Sequence, residues 1–397
     1  MLTNVTNTLD TGANSFRAAA SSNLIDFTGL AGAQSLTLGS SVTLNSGANT
    51  SLLLSGGTTN LTIDGSDIAL ALSNNNLTIA GAGGPLTLTI NSNITGSGLL
   101  RIGDGDDDLT VVLGGTNSMV RTTGGVGNTD APVSIRVEDG DTLSISDDAA
   151  LGSGKLSLND GTLAVTGATT IDNEIHLDNL ISTINNSADV TISGAINGTG
   201  GLIKTGAGTL TLSGTNIYQD TTTITNGTLS VTGDANLGNS NDAIIFNGGN
   251  LTVTGVGTID NTVTLTSNAT ITNSADVTLS GVISSTGNLT KAGANTLTLS
   301  GVNTYTGTTT VTDGTLSVSA DNRLGTGGLT LNGGNFTVTG ATTIDNAVTL
   351  SSNATITNSA NATLSGVISG ANNLTKAGAS TLTLTGTNTY TGTTTVT

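Results

Sequence analysis

One phrase occurs three times along this chain of 397 residues, and it limits the folds that the chain can adopt. Its copies cover residues 204–218, 291–305 and 376–390, and the middle copy reads Lys-Ala-Gly-Ala-Asn-Thr-Leu-Thr-Leu-Ser-Gly-Val-Asn-Thr-Tyr. The lysines that open successive copies are separated by nearly equal intervals, because they lie at Lys204, Lys291 and Lys376. A long repeat made of short alternating segments is typical of stacked coils of β-strand. The sequence therefore predicts an all-β solenoid.

Alternation inside the phrase predicts which side chains face the core. Thr209-Leu-Thr-Leu212 places Leu210 and Leu212 on one face of a strand and both threonines on the other. We expect the leucines inside, each contributing about 1.5–3 kcal/mol, and the β-branched threonines on the outer pleat. A coil of roughly 20–25 residues gives about four coils in each long repeat.

Three stretches of different character predict the domain organisation. Residues 1–35 contain a candidate short helix over 15–23, and we expect them to cap the first coil, because an open sheet edge would pair with another chain. Residues 36–150 are predicted to form irregular coils with an acidic loop region, since 10 acids fall between 104 and 148. Residues 151–397 carry the long-repeat coils, in copies that begin near 151, 237 and 324.

Further markers recur in the same order within each copy of the long repeat. A Leu-Gly pair opens the copy, and an Ile-Asp-Asn triplet follows it; these lie at Leu151-Gly152, Leu237-Gly238 and Leu324-Gly325, and at Ile171–Asn173, Ile259–Asn261 and Ile344–Asn346. The third copy stops at Thr397, before the strand that follows the phrase in the other two copies. We therefore expect the sequence to be a piece of a longer chain.

Composition excludes several classes of function. The net charge is −18, from 27 acidic residues against 9 Lys and Arg, which argues against nucleic-acid binding and against docking on anionic lipid. Cysteine is absent, which excludes disulfides and thiolate metal sites. No apolar run is long enough for a membrane helix, so we expect no direct membrane insertion by this segment. The chain does not start with a signal peptide; either it is cytosolic or an export signal lies outside this sequence, and the repeats favour the second.

Catalytic, cofactor-binding and metal-binding residues are not predicted. His176 is the only histidine, and no neighbouring constellation completes a triad or a metal site around it, so we expect a structural or solvated role. The segment 102–111 (Ile-Gly-Asp-Gly-Asp-Asp-Asp-Leu-Thr-Val) looks like one turn of a calcium-binding Gly-Asp repeat. Such sites take ligands from successive turns, and a single copy favours a solvated acidic loop.

Two recurring side chains receive structural interpretations. Tyr218, Tyr305 and Tyr390 occupy one position of the long repeat, and we expect each to pack at a coil corner with its hydroxyl reaching water. Lys204, Lys291 and Lys376 recur at a fixed interval before them, and we expect charge on a turn that discourages edge pairing. Rows of threonine also suggest an ice-binding face, but strings such as Asp172-Asn-Glu-Ile-His176 interrupt the pattern.

The phrase, followed by Gly-x-Thr-x-Val, resembles the autotransporter-associated β-strand repeat of large bacterial surface proteins. The resemblance is close over 200–231, 287–318 and 372–397, although Gln219-Asp220 departs from the Thr-Gly of the other copies. The segment Asp10-Thr-Gly-Ala-Asn-Ser-Phe-Arg17 is similar to the entry segment of other secreted β-helix proteins. Together they imply a right-handed parallel β-helix with a short N-terminal capping segment, exported to the cell surface. In that family a membrane β-barrel translocator follows the passenger, and the resemblance implies one in the full-length chain.

These observations favour a non-enzymatic surface or secreted passenger fragment that acts as a stalk or adhesin-like scaffold. Its partner would be an unknown surface ligand, either a glycan or a protein of a host or neighbouring cell, contacted chiefly by loops in 104–148. One alternative is a polysaccharide-active β-helix enzyme, because Asn128-Thr-Asp130 and Asp147-Asp148 are faintly similar to the acids of polygalacturonases. The Gly-His-Gly and Arg-Ile-Lys motifs of that family are absent. The other alternative is a purely structural matrix or sheath protein.

Overall fold

The computed structural model describes most of the chain as short parallel strands. It covers residues 23–26, 34–38, 42–44, 50–55, 60–65, 68–70, 76–82, 85–103, 108–119 and 133–397. Apart from the strands that begin at Asn23 and Gln34, the predicted cap over 1–35 lies outside the described residues. No helix in these ranges is long and apolar enough to cross a membrane.

Internal contacts divide the chain into two compact units. Unit 1 comprises residues 1–208 and 217–219. Its described elements are β1 (Asn23–Asp26), β2 (Gln34–Leu38), β3 (Val42–Leu44), β4 (Thr50–Ser55), β5 (Asn60–Gly65), β6 (Ile68–Leu70), β7 (Asn76–Ala82), β8 (Leu86–Ile90), β9 (Ile94–Gly96), β10 (Leu99–Ile102), β11 (Leu109–Leu113), β12 (Ser118–Met119), β13 (Val133–Glu138), β14 (Thr142–Ile145), the 3-10 helix η1 (Asp148–Ala150), β15 (Lys155–Asn159), β16 (Thr162–Val165), β17 (Thr169–Ile171), β18 (Ile175–Leu177), β19 (Ser182–Asn186), β20 (Val190–Ile192), β21 (Ile196–Gly198) and β22 (Leu202–Thr205).

Unit 2 comprises residues 209–216 and 220–397. Its elements are β23 (Thr209–Leu212), β24 (Thr222–Ile224), β25 (Thr228–Val231), the 3-10 helix η2 (Asp234–Asn236), β26 (Ala243–Phe246), β27 (Asn250–Val253), β28 (Gly257–Ile259), β29 (Thr262–Leu265), β30 (Ala269–Asn273), β31 (Val277–Leu279), β32 (Ile283–Ser285), β33 (Leu289–Ala292), β34 (Thr296–Leu299), β35 (Thr309–Val311), β36 (Thr315–Val318), the 3-10 helix η3 (Asp321–Arg323), β37 (Leu329–Leu331), β38 (Asn335–Val338), β39 (Thr342–Ile344), β40 (Val348–Leu350), β41 (Ala354–Asn358), β42 (Ala362–Leu364), β43 (Ile368–Gly370), β44 (Leu374–Ala377), β45 (Leu382–Leu384) and β46 (Thr394–Val396).

Strands that follow one another along the chain lie in different sheets, so that a full coil has three sides. In unit 1 the order β1-β4-β7-β10-β13-β15-β18-β21 forms one sheet, and β2-β5-β8-β11-β14-β16-β19-β22 forms a second. In unit 2 the order β28-β31-β34-β36-β38-β41-β44-β46 forms one sheet, and β39-β42-β45 forms another. Each unit is therefore a β-solenoid, which confirms the predicted fold class; the right-handed turn stays a prediction.

From β13 onward the coils stack in parallel register at a nearly constant interval. Val263 on β29 pairs with Ile283 on β32, one coil further along the chain. Ile175 on β18 likewise pairs with Ile196 on β21 in the following coil. The spacing of these pairs fits the predicted coil length and places equivalent side chains directly above one another. The predicted domain boundaries after residues 35 and 150 stay predictions.

Apolar side chains fill the space that the three sides enclose. Leu210 and Leu212 are fully buried, whereas Thr209 and Thr211 are half-buried on the outer side of the same strand. The same alternation holds on β34, where Leu297 and Leu299 point inward. The prediction of inward leucine and outward threonine is confirmed. The interior is narrow because the three sides of a single coil enclose it. Leucine, isoleucine and valine therefore fill it with few aromatic rings.

A 3-10 helix replaces the third strand in one coil of each long repeat. Around η3, Asn303 of the preceding coil accepts a hydrogen bond from the N–H of Ile283 (2.8 Å) and donates to the carbonyl of Arg323 (2.5 Å). From the following coil, Asn346 donates to the carbonyls of Gly325 (2.7 Å) and Gly327 (2.6 Å). We term the pair Asn303 and Asn346 an asparagine clamp.

Equivalent clamps hold the other two 3-10 helices. Asn216 and Asn261 enclose η2, where Asn216 donates to the carbonyl of Asn236 at 2.6 Å. Asn117 and Asn173 enclose η1, where Asn117 donates to the carbonyl of Ala150 at 2.5 Å. The clamps explain two sequence markers, because one asparagine belongs to the Gly-x-Asn-x-Tyr end of the phrase and the other to Ile-Asp-Asn. They satisfy backbone groups that the interrupted strand ladder leaves unpaired.

Replacement of a stacked leucine should lower stability by the cost of a core cavity. Leu297 is fully buried between Val277 and Leu316, so Leu297→Ala should lower the free energy of unfolding by about 2–5 kcal/mol. The neighbouring outward change, Thr298→Ala, should cost about 1 kcal/mol or less. Urea unfolding followed by circular dichroism measures both variants. Equal losses for the two would contradict the inward assignment of Leu297.

Candidate functional site

Charged side chains gather on the outer side of one sheet of unit 1. They are held by β10, β13, β15, β18 and β21, which are consecutive in that sheet. The register places Arg101 opposite Arg136, Arg136 opposite Ser157, Ser157 opposite His176, and His176 opposite Asn197. We term the following residues the charged face: Arg101, Arg136, Glu138, Lys155, Ser157, Glu174, His176, Asp178 and Asn197.

One half of the charged face is organised around two carboxylates. The guanidinium of Arg101 donates from Nε to Glu138 (2.5 Å), and Arg136 lies 3.5 Å from the other oxygen of Glu138. Arg136 also reaches Asp178 (3.3 Å), to which the hydroxyl of Ser157 donates (2.7 Å). Glu138 and Asp178 therefore connect four successive coils of unit 1, those that carry β10, β13, β15 and β18.

The second half is joined to the first by the histidine. Lys155 pairs with Glu174 (2.6 Å), and Nδ2 of Asn197 donates to the same carboxylate (2.6 Å). The ring of His176 lies between the halves, with Nε2 at 3.0 Å from Asp178 and Nδ1 at 2.5 Å from Oδ1 of Asn197. The charged face is thus one continuous network of ion pairs and hydrogen bonds.

The network favours the ionised form of its carboxylates. Burial raises the pKa of Asp178, but hydrogen bonds from His176 and Ser157 and the charge of Arg136 outweigh it, and the net direction is down. Burial also raises the pKa of Glu174, whereas hydrogen bonds from Lys155 and Asn197 lower it, and the net direction is again down. Among the cations, Arg101 is the most exposed, with 37% of its side chain accessible against 8% for Glu138.

The later copies of the long repeat show that the charged face is an addition to the scaffold. The surrounding markers persist, but uncharged residues replace Glu174, His176 and Asp178 at the equivalent positions: Thr262, Thr264 and Thr266 in the second copy, and Ala347, Thr349 and Ser351 in the third. Since coils without these charges still stack, the charges are not required by the fold. This departure from the repeat marks the charged face as the candidate functional site.

Sequence reasoning missed this site. It assigned His176 a structural or solvated role because no neighbouring constellation completes a triad or a metal site. Asp178 lies two residues away, but Asn197 approaches the ring only through coil stacking. The sequence nevertheless contained a usable signal. Only 9% of its residues are charged, yet several charged residues recur at intervals of one coil length. The interval from His176 to Asn197 is also one coil length. Spacing at the coil length brings side chains together on one outer face.

Of the residues considered for catalysis, Asp148 has a structural environment, whereas Asp147 is exposed. Asn128 and Asp130 lie outside the described residues. Asp148 begins η1 and accepts a hydrogen bond from the backbone of Asp172; burial, followed by the charge of Asp172, raises its pKa. The same arrangement recurs in the long repeat: Asp234 accepts from the N–H of Asp260 (3.3 Å), and Asp321 accepts from that of Asp345 (3.0 Å). An arrangement repeated at every 3-10 helix serves to connect successive coils.

The segment considered for calcium is only partly described. Residues 104–107 lie outside the described ranges, and Asp108 is exposed. In the part of the chain that the structure covers, no group of three or more His, Cys, Asp or Glu side chains could hold a metal ion. The interpretation of 102–111 as a solvated acidic loop stays a prediction.

The lysine of the phrase does not lie on an exposed turn, and that prediction was wrong. Lys204 and Lys291 are fully buried, because their position alternates inward with the leucine two positions earlier. The ammonium of Lys204 donates to the carbonyls of Thr205 (2.7 Å) and Gly206 (2.8 Å). That of Lys291 donates to Ala292 (2.9 Å) and Gly293 (2.5 Å). The lysine therefore satisfies carbonyls at a coil corner, and burial lowers its pKa to about 8 at both positions.

The glycine that follows the lysine is required by the same corner. Gly293 has φ +84°, and a Cβ there would clash with the carbonyl oxygen of Asn273 in the preceding coil. Gly206 has φ +79° and meets Asn186 in the same way. Only glycine combines this backbone conformation with so close an approach. The Lys-x-Gly of the phrase is thus a corner motif.

At Tyr218 and Tyr305 the hydroxyl does not reach water, which corrects the second structural prediction at these two positions, whereas Tyr390 is only half-buried. Tyr218 and Tyr305 are fully buried. The hydroxyl of Tyr305 lies 2.7 Å from Oγ1 of Thr309, so that the ring fills the core while its polar atom is satisfied inside. Burial raises the pKa of Tyr305. A buried tyrosine cannot form an exposed aromatic row for sugar binding.

Comparisons with known proteins place the repeats in a recognised family. The family described as Passenger-associated-transport-repeat matches residues 202–231, 289–318 and 374–397. A stretch of 149 residues is 36% identical to part of the Adhesin BmaC autotransporter of Brucella suis biovar 1 (strain 1330). That stretch is 36% of this chain and 4% of the relative, so the chain spans a small fraction of the protein it matches. No solved structure matches the chain.

The parallel solenoid and these matches define the class of protein. The chain is an autotransporter-type passenger segment with passenger-associated-transport repeats, as the resemblance of the repeated phrase indicated. Each matched region covers one corner lysine, one clamp asparagine and one buried tyrosine, or the equivalent positions at the end of the chain. Repeats of this family imply a cell-surface or extracellular location.

The buried lysines should make stability increase with pH in the alkaline range. Their pKa is about 8 in the fold and about 10.4 in an unfolded chain, so the unfolded chain binds more protons between these values. The free energy of unfolding should therefore rise from pH 8 to pH 10. In Lys291→Met this rise should be reduced by about half, because Lys204 still contributes.

Urea unfolding at pH 8, 9 and 10 measures this rise. Lys204→Met is the matched variant and should behave like Lys291→Met, and the double variant should remove most of the effect of the two lysines. A pH profile that is the same in wild type and double variant would show that the ammonium groups are not buried in the folded chain.

Proposed function

We propose that this chain is a non-enzymatic passenger segment that acts as a stalk and adhesin-like scaffold on the bacterial surface. Its repeats and its similarity to part of an autotransporter adhesin support a surface role. In the full-length protein a translocator region outside the present sequence would associate the passenger with the outer membrane. The stacked coils supply length and rigidity, and one outer face supplies contacts.

This proposal rests on the observation that recurring polar side chains of the solenoid bind backbone groups. The asparagine clamps, the corner lysines and the aspartates of η1, η2 and η3 all bind backbone groups of the same or an adjacent coil. Groups committed in this way contribute cohesion between coils. Asp148, which a polysaccharide-active enzyme would use, belongs to this set, because its arrangement returns at Asp234 and Asp321.

The charged face is the surface best suited to a ligand. It presents cationic donors and carboxylate acceptors side by side, a combination that suits the hydroxyl and charged groups of a glycan or of a protein surface. Apart from Glu138 and Ser157, which are buried, its residues are partly exposed, and the repeat does not require Glu174, His176 and Asp178. It includes Glu138, one of the acids of the stretch 104–148 in which contacts are expected. We propose that the surface ligand, a glycan or a protein of a host or neighbouring cell, contacts this face.

Binding assays on the purified chain and two variants test the proposal. The chain is immobilised on beads and exposed to mammalian cells, bacterial cells and a broad glycan array. Arg101→Gln with Lys155→Gln removes the most exposed cations of the charged face and should weaken binding at least about tenfold. Arg323→Gln, on η3 of unit 2, removes a cation from outside the face and should leave binding unchanged.

Each other outcome points to a different function. Equal binding by both variants would move the contact away from the charged face. No binding to any cell or glycan would favour the purely structural matrix or sheath protein. Turnover of an acidic polysaccharide that Asp148→Asn abolishes would favour the enzyme and would overturn the proposal.

A further inference from the structure

A hydrogen-bond acceptor lies against each ring nitrogen of His176, and these two contacts determine how many protons the ring carries. Nε2 lies 3.0 Å from a carboxylate oxygen of Asp178, which can only accept a hydrogen bond while ionised. Nδ1 lies 2.5 Å from Oδ1 of Asn197, an amide oxygen that also only accepts. A neutral imidazole has one N–H and can donate to only one of the two.

The orientation of Asn197 is fixed by a third residue. Its Nδ2 donates to Glu174 at 2.6 Å, and Glu174 is in turn paired with Lys155. If the amide were rotated by half a turn, its oxygen would face the carboxylate of Glu174, and two acceptors would oppose each other. The position of Oδ1 beside His176 therefore follows from the network.

We propose that His176 is an imidazolium at neutral pH, and that its two N–H groups are the bonds that join the two halves of the charged face. One bond ties the ring to the group of Asp178, Ser157, Arg136, Glu138 and Arg101. The other ties it to Asn197, Glu174 and Lys155. The proton of His176 thus connects coils that carry β13, β15, β18 and β21.

Charges on every neighbouring strand support this assignment. On β13, Arg136 and Glu138 neutralise each other in part, and Arg136 is held by Asp178. On β15, Lys155 is held by Glu174, and Ser157 is uncharged. The segments flanking β18 contribute Glu174 and Asp178, and β21 contributes Asn197. Asp178 and Oδ1 of Asn197, which lie against the two ring nitrogens, are acceptors, whereas Arg136 and Lys155 are engaged by carboxylates.

Loss of this proton leaves the network without a satisfactory arrangement. If a neutral ring donates from Nε2 to Asp178, its unprotonated Nδ1 faces Oδ1 of Asn197, and two acceptors lie against each other. A neutral ring that donates to Asn197 opposes a bare Nε2 to the carboxylate of Asp178. The folded chain binds the proton of His176 more tightly than the unfolded chain does. The contribution of this proton to the free energy of unfolding is therefore complete in acid and is lost as the pH rises. The effect is opposite in sign to that of the buried lysines.

The single histidine makes the test direct. In a chain with one His, the ring nitrogens of His176 can be followed by NMR without ambiguity after ¹⁵N labelling. An ordinary imidazole is about one quarter protonated at pH 7. We expect at least nine tenths of His176 to be imidazolium at pH 7, with a proton detected on both nitrogens. A fraction near one quarter, or a proton on one nitrogen only, would overturn the proposal.

A relocated histidine provides the matched control. The double change His176→Thr with Thr264→His moves the only histidine to the equivalent strand position in unit 2, where Thr262 and Thr266 replace the carboxylates. That ring should titrate as an ordinary imidazole. An imidazolium fraction as high as that of His176 would show that the strand position, and not the charged face, holds the proton.

The role of Asn197 is tested separately. Asn197→Ala removes the acceptor for Nδ1 but leaves Asp178 in place, so the imidazolium fraction at pH 7 should fall well below that of the wild type. Asn197→Leu, which keeps the volume of the side chain but also lacks the acceptor, guards against a folding defect. An unchanged fraction in either well-folded variant would show that Asp178 alone holds the proton, and the link between the two halves would be refuted.

Discussion

The coils around η1, η2 and η3 depend on hydrogen bonds that replace the strand ladder where the ladder is interrupted. A parallel stack pairs each strand with the coils before and after it, but a 3-10 helix or a sharp corner leaves carbonyl and N–H groups inside the solenoid. An unpaired buried backbone group costs about 1–3 kcal/mol. The clamp of Asn303 and Asn346 supplies the missing partners around η3.

The corner lysine solves the same problem with a charged group. Lys291 buries its ammonium beneath the carbonyls of Ala292 and Gly293, and burial lowers its pKa to about 8. Asn273, at the same corner of the preceding coil, donates to the carbonyls of Ala275 (2.6 Å) and Thr296 (3.0 Å). Two successive corners thus use two different side-chain donors. These inward polar groups set the register of the coils, and the outer surface is left free to vary.

Local alternation made much of the fold predictable. Leu210 and Leu212 face inward as their spacing indicated, because side-chain direction in a strand depends only on position. Alternation with Leu202 also places Lys204 inward, but the corner carbonyls that satisfy its buried ammonium were not visible in the sequence, and an exposed lysine was therefore predicted. The charged face was missed for a similar reason. Its residues are brought together by stacking at the coil length, and their contacts exist only once the register of the coils is known.

Amide hydrogen exchange tests the central claim most directly. If clamp asparagines replace the strand ladder, the N–H of Ile283, which donates to Asn303, should be as well protected as the N–H groups of β34. Asn303→Ala should abolish that protection and speed exchange around η3, while exchange in β41 stays unchanged. Rapid exchange at Ile283 in the wild type, or full protection in Asn303→Ala, would contradict the account.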